Sequence, residues 1–103
     1  TPEQARILPI SDRFNEYADN LSKLLENSDI RALVDSRSEK VGKKIREAEL
    51  DKVPYMLIVG ESEASEGTVS VRKQGEGDLG SVTIEAFAER IQREVAETLT
   101  NNI

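Results

Sequence analysis

Five cations crowd one short segment: Arg37, Lys40, Lys43, Lys44 and Arg46, with Glu39 the one carboxylate among them. At that density ammonium and guanidinium groups neutralise phosphates, and an arginine fork can donate two hydrogen bonds to a guanine edge. Downstream stand Glu61, Glu63 and Glu66. Their carboxylates could accept from nucleobase amino groups or, grouped, hold a hard metal ion. A solvated acidic loop is the plainer reading of the same three residues. Cations beside carboxylates, with polar Ser38 between them, suit base edges and a protein partner equally well.

Other chemistry is missing. With no Cys there is no disulfide framework, CxxC redox pair or cysteine-held metal. With no His the commonest general base and metal ligand are gone. The turn after the first apolar run, Pro9-Ile10-Ser11-Asp12, lacks the glycines of a dinucleotide site, and no phosphate loop or nucleophile elbow occurs. A receiver's acceptor Asp would end the third strand, where Gly60 stands. This composition argues against an isolated catalytic domain and weakens a small-molecule-binding α/β reading.

Net charge is −6 over 103 residues, which repels a polyanion. Screening confines distant charges to roughly 8–10 Å, so a basic island on an acidic body can still grip one, weakly. The length suits one domain, residues 1–103, and a chain opening at Thr1 reads as a piece of a longer protein. Apolar residues (37%) interleave with charged ones (33%) as in a folded domain, and no apolar run is long enough to span a membrane.

Alternating elements must position these groups. Ala5–Ile10 reads as a strand, with Ser11 and Asp12 as helix caps. Phe14, Tyr17, Ala18, Leu21, Leu24 and Leu25 then form a buried helical stripe. Asn27–Asp29 is a turn and Ile30–Val34 a second strand. Ser38 should cap a helix whose inner face is Val41, Ile45 and Ala48, with the lysines around it. Tyr55–Val59 (YMLIV) has the continuous apolar character of a strand buried on both faces, and Tyr55 belongs to the core with Phe14, Tyr17 and Phe87. After an acidic loop, Thr68–Lys73 alternates as a half-buried strand. Gln74–Gly80 is a turn into Ser81–Val82, and Thr83 caps a last helix with Ile84, Phe87, Ala88, Ile91, Val95 and Leu99 inside. Thr100–Ile103 should fray. The order β-α-β-α-β-loop-β-β-α predicts an α/β fold with a mixed sheet, parallel first and antiparallel later. The loops at the carboxyl ends of the parallel strands begin at Ser11, Ser36 and Gly60, where open α/β sheets take ligands.

The segment Arg37–Gly60, RSEKVGKKIREAELDKVPYMLIVG, resembles the C-terminal anticodon-binding domain of threonyl-tRNA synthetases. That family's pattern is R-N-E-K-x-G-x-K-I-R-E, then a strand (R/K)-V-P-Y-M closed by Gly. The resemblance extends to LPISD (Leu8–Asp12), GTVSVR (Gly67–Arg72) and GDLG (Gly77–Gly80), and so covers essentially the whole chain. It implies a three-layer α/β/α domain with a mixed sheet of about five strands, the anticodon-binding fold of class II synthetases. It also implies a grip on the anticodon loop of threonine tRNA, reading chiefly the second and third bases, a guanine and a uracil. Splayed loop bases are the usual targets of sequence-specific RNA recognition.

The contacts that the resemblance implies fall on Ser38, Arg46, Lys52, Glu63 and Arg72, with Arg37, Lys40, Lys43 and Lys44 supporting. Ser38 has one hydroxyl where the family has a two-sided amide. Lys52 has charge without the planar fork, which suits a phosphate. Without the resemblance, Arg46 reads as a surface cation paired with a nearby carboxylate. An antiparallel strand could carry Arg72 away from the edge that Ser38 and Glu63 share. Also implied are a cytoplasmic, dimeric parent enzyme that adenylates threonine in a preceding catalytic domain, with ATP, magnesium and zinc held there. This piece would be monomeric, without cofactor or catalytic residue. The alternative is a stand-alone, non-enzymatic module of the same fold that binds RNA or protein.

Overall fold

The computed structural model describes residues 4–101, with side chains through Glu94. Five strands, β1 (Ala5–Pro9), β2 (Ala32–Val34), β3 (Tyr55–Val59), β4 (Thr68–Lys73) and β5 (Gly77–Thr83), form one sheet in the order β2-β1-β3-β4-β5. β1 is parallel to both β2 and β3, while β4 and β5 follow antiparallel. The mixed sheet expected from connection lengths is present.

The helices are α1 (Asn15–Asn27, after a 3-10 turn at Asp12–Phe14), α2 (Val41–Leu50), α3 (Glu61–Glu66) and α4 (Ile84–Asn101). Strand order explains their sides. The chain steps from β1 to β2 in one direction and from β2 back past β1 to β3 in the other. With a constant crossover hand, α1 and α2 must then lie on opposite faces. Alternate residues confirm it. Ala5, Ile7, Tyr55, Leu57, Val59, Val69 and Val71 join the large core with α1 and α4, whereas Leu8 and Met56 join a small one with Ala48 of α2. The second face is thus covered by α2 over β1 and β3 and only partly, by the short α3, over β4. Thr68, Ser70 and Arg72, which alternate with buried Val69 and Val71, are only half-buried.

Both α1 and α2 stop in the same way. Asp29 N–H bonds to Glu26 O (3.0 Å) and Ile30 N–H to Leu25 O (2.9 Å), and Lys52 and Val53 repeat the pattern on Glu49 (3.1 Å) and Ala48 (3.0 Å). This Schellman geometry requires a left-handed residue, usually Gly. Here it falls on Asp29 (φ 62°) and Lys52 (φ 58°).

Several expectations are corrected. The acidic loop is helix α3, opened at Gly60 and closed by left-handed Gly67 (φ 72°). Ser38 caps nothing: Lys40 precedes α2 and offers no side-chain cap. Ser11 likewise gives no cap bond, but Thr83 does, its Oγ1 accepting Ala86 N–H (3.2 Å). Leu24 is half-exposed. β5 begins at Gly77, and its extra residue Leu79 makes a bulge where Arg72 pairs with Asp78 and Val71 with Gly80. α4 continues through Thr100 and Asn101, positions expected to fray, while residues 102–103 and the side chains of Val95 and Leu99 lie outside the described residues.

Candidate nucleic-acid interface

Arg72 leaves β4 on the open half-face. Its register partner Met56 packs under α2, so the guanidinium rises beside that helix, with NH2 4.0 Å from Glu49 Oε1. Arg72 Nε is buried without a hydrogen-bond partner among the described residues, and the side chain is only one-third exposed. Two residues back on the same face, the Ser70 hydroxyl donates to Glu63 Oε2 (3.3 Å). Glu63 Oε1 accepts Gly60 N–H (2.7 Å). One carboxylate therefore both starts α3 and stands at the head of a row running Glu63, Ser70, Arg72, Glu49. Glu63 and Arg72 do share a face, but the antiparallel register sets Arg72 about 7 Å further down the strand.

The sheet edge carries a second group. Ser38 is exposed, its hydroxyl 3.4 Å from both carboxylate oxygens of Asp12. Between this pair and Glu63, Ile10 is 46% exposed. Its Cδ1 would lie 2.7 Å from a Cβ on Gly60, so glycine there lets the two turns approach. On α2, Arg46 is exposed, with no carboxylate partner among the described residues, and shares a helix flank with Glu49 three positions on. The paired-cation reading of Arg46 is not what the geometry shows. Lys40 and Lys52 are exposed, and Lys43 pairs loosely with Glu39 (3.4 Å).

One expected phosphate contact, Lys44, is overturned, and Arg37 is engaged by carboxylates. Lys44 is 2% exposed. Its Nζ donates to Pro9 O and Asp35 O, each at 3.0 Å. Arg37 grips Asp35 with two bonds of 2.8 Å and reaches Glu47 Oε2 at 3.1 Å. The Arg37 hydrogen bonds hold the Asp35 carboxyl below its ordinary pKa against the opposing effect of burial, and hydrogen bonds to Asp35 and Glu47 push Arg37 up. Lys44 therefore braces the loop from inside, whereas Arg37 braces it with its side chain still 48% exposed.

The aromatics supply no stacking platform among the described residues. Tyr55 is buried edge-on to Phe87, and its hydroxyl donates to Glu94 (2.6 Å). Tyr17 donates to Thr68 O (2.8 Å). What this face offers instead is hydrogen-bonding groups, charge and apolar Ile10. The described residues also offer no group of three His, Cys, Asp or Glu able to hold a metal, so the carboxylate-cluster reading of Glu61, Glu63 and Glu66 is dropped. Asp12, Ser70, Glu49 and Ile10 were missed from sequence. Only Ser70 left a signal, since it alternates with Arg72 in TVSVRK.

A five-stranded mixed sheet with one half-open face, carrying arginine and carboxylate side by side, defines the class. The chain belongs to the anticodon binding domain family, whose profile matches residues 4–94. Within that family it is similar to threonine–tRNA ligases, 57% identical over 97% of the chain to that of Porphyromonas gingivalis and 54% over 96% to that of Phocaeicola vulgatus. The chain spans 15% of the length of those curated relatives. Among solved structures, the RNA-binding domain of threonyl-tRNA synthetase from Cryptosporidium parvum superposes with a TM-score of 0.84 at 28% identity, covering 90% of this chain and 24% of that one. A histidyl-tRNA synthetase from a Nostoc species also gives 0.84, at 21% identity, covering 92% and 23%. That likeness speaks for the fold alone.

Proposed function

We propose that this domain grips the anticodon loop of threonine tRNA within a longer threonine–tRNA ligase. The observation that carries the reading is Arg72, a one-third-exposed guanidinium held only loosely by Glu49, on the same strand face as Ser70 and the Glu63 carboxylate that Ser70 meets. A guanidinium so held can donate to guanine O6 and N7, and a carboxylate can accept from the base's amino group. Lys40, Lys43, Arg46 and Lys52 then position the backbone, while Ser38 offers the loop one hydroxyl. The identity to ligases across nearly the whole chain favours this over a stand-alone module. Adenylation of threonine, the dimer interface and sites for ATP, magnesium and zinc would belong to the rest of the ligase, acting in the cytoplasm. The isolated domain would be monomeric.

The test is binding of the domain to a threonine anticodon stem-loop and to the same loop with its second base changed. Arg72→Ala should cost about 1–3 kcal/mol on the cognate loop and far less on the altered one. Arg72→Lys should rescue little, since an ammonium lacks the fork. Equal losses on both loops would show that Arg72 does not read that base. With about four phosphates contacted, at ~0.7 per single-strand phosphate, the log–log salt slope should be roughly −2 to −3. A slope near zero would refute the electrostatic part.

A further inference from the structure

The carboxyl ends of β1, which leads to α1, and of β2, which leads to α2, lie side by side at one end of the sheet. The ammonium of Lys44 bridges them. Its two bonds join the last carbonyl of β1, Pro9, to that of Asp35 just beyond β2, and the side chain is fully enclosed. Each strand end starts one half of the Asp12–Ser38 pair, and Asp35 in turn holds Arg37, the residue before Ser38.

We propose that Lys44 is a positioning residue that sets the Ser38 side of the interface without touching RNA. The inference rests on the anticodon-binding reading, but its structural half can be measured without RNA. Arg72 hangs from β4, outside this linkage, because its register is set by β3 and β5.

The chain has no cysteine, so Lys44→Cys can be aminoethylated in the unfolded state and refolded, restoring an ammonium of nearly the original reach. Lys44→Met removes the donor while keeping the bulk. In Lys44→Met, exchange of the Asp35 amide, bonded to Ile7 O (2.9 Å), should speed up at least tenfold, with β4 amides unchanged. With the anticodon stem-loop, Ser38→Ala should weaken binding two- to fivefold in wild type and not at all in Lys44→Met. The loss from Arg72→Ala should be the same in both backgrounds. The aminoethylated protein should recover both the amide protection and the Ser38 effect. If Lys44→Met does not fold, Lys44→Gln and the aminoethylated protein carry the comparison. Equal weakening of the Ser38 and Arg72 contributions, or failure of aminoethylation to restore either readout, would overturn the proposal. If wild type binds no such RNA, the functional reading fails, and the exchange data alone decide whether Lys44 holds the loop.

Discussion

Lys52 occupies the left-handed position that ends α2, at φ 58°, where the fold asks for glycine and the interface asks for a cation. A left-handed L-residue costs about 1–2 kcal/mol. Glycine relieves that but returns about 0.4–1 kcal/mol of freedom to the unfolded chain. Lys52→Gly should therefore stabilise the domain by roughly 0.5–1 kcal/mol, a rise in melting temperature of about 2–6 °C at this size. The hydrogen bonds from residues 52 and 53 to α2 are backbone groups, so nothing else is lost. Asp29→Gly, at φ 62° in the matching cap of α1, is the control. It should gain less, because aspartate tolerates this region better. The two should separate on RNA: Lys52→Gly removes one phosphate contact, flattening the salt slope by about 0.7 and weakening cognate and altered loops alike, whereas Asp29→Gly changes neither. Thermal melts and salt titrations of the three proteins decide it. No stability gain in Lys52→Gly would refute the strain argument, and an unchanged slope would refute the phosphate contact.

Glu49 faces Arg72 at 4.0 Å, a long, partly exposed pair worth about 0–1 kcal/mol. Glu49→Gln should tighten RNA binding up to about fivefold, and less in an Arg72→Ala background; equal gains in both would mean that Glu49 acts only as a bulk charge. The Asp35 carboxyl, held down by Arg37, titrates lower folded than unfolded. Its contribution is present above the ordinary aspartate pKa of about 3.9 and is lost as pH falls through the folded value. Denaturant unfolding below about pH 4 should thus be less steeply pH-dependent in Asp35→Asn than in wild type, and parallel curves would contradict the ion pair.

Much of the frame was legible because periodicity and residue type agreed. YMLIV is buried on both faces as its unbroken apolar run implies. Where the two signals disagree, residue type misleads. Lys44 lies three positions after Val41 and four before Ala48, so spacing alone put it on the inner face of α2, yet a lysine reads as solvent-facing until two strand-end carbonyls are known to wait there. Leu24 shows the converse. Each residue turns a helix by ~100°, which swings it off the Leu21–Leu25 line despite its apolar side chain. Helix α3 has no apolar stripe and owes its start to the Gly60–Glu63 bond, a contact between groups whose spacing alone does not imply it. Gly77 and Gly80 read as turn residues, but their positive φ (89° and 91°) serves a bulged strand. For the interface, motif residues were found and their supports were not. Asp12 and Glu49 meet Ser38 and Arg72 only through long-range packing.

The division of the sheet into a parallel and an antiparallel half also orders events in time. β3, α3, β4 and β5 follow one another without interruption from Tyr55 to Thr83, so their pairing closes short loops. β1 finds β2 only across α1, Ala5 pairing with Ala32, and β3 only across everything between, Ala5 pairing with Tyr55. Short closures are entropically cheaper and faster. The half bearing Glu63 and Arg72 should therefore assemble before the half bearing Ser38, with Lys44 fastening the second to the first near the end. Substitutions at Val69 or Val71 should then slow refolding, while those at Ala32 or Lys44 should mainly speed unfolding; the reverse pattern would place the nucleus in the parallel half. On a ribosome, β1 precedes the other strands and lacks its longer pairing, with β3, until Tyr55–Val59 appears, and the last strands to be made belong to the first part to fold.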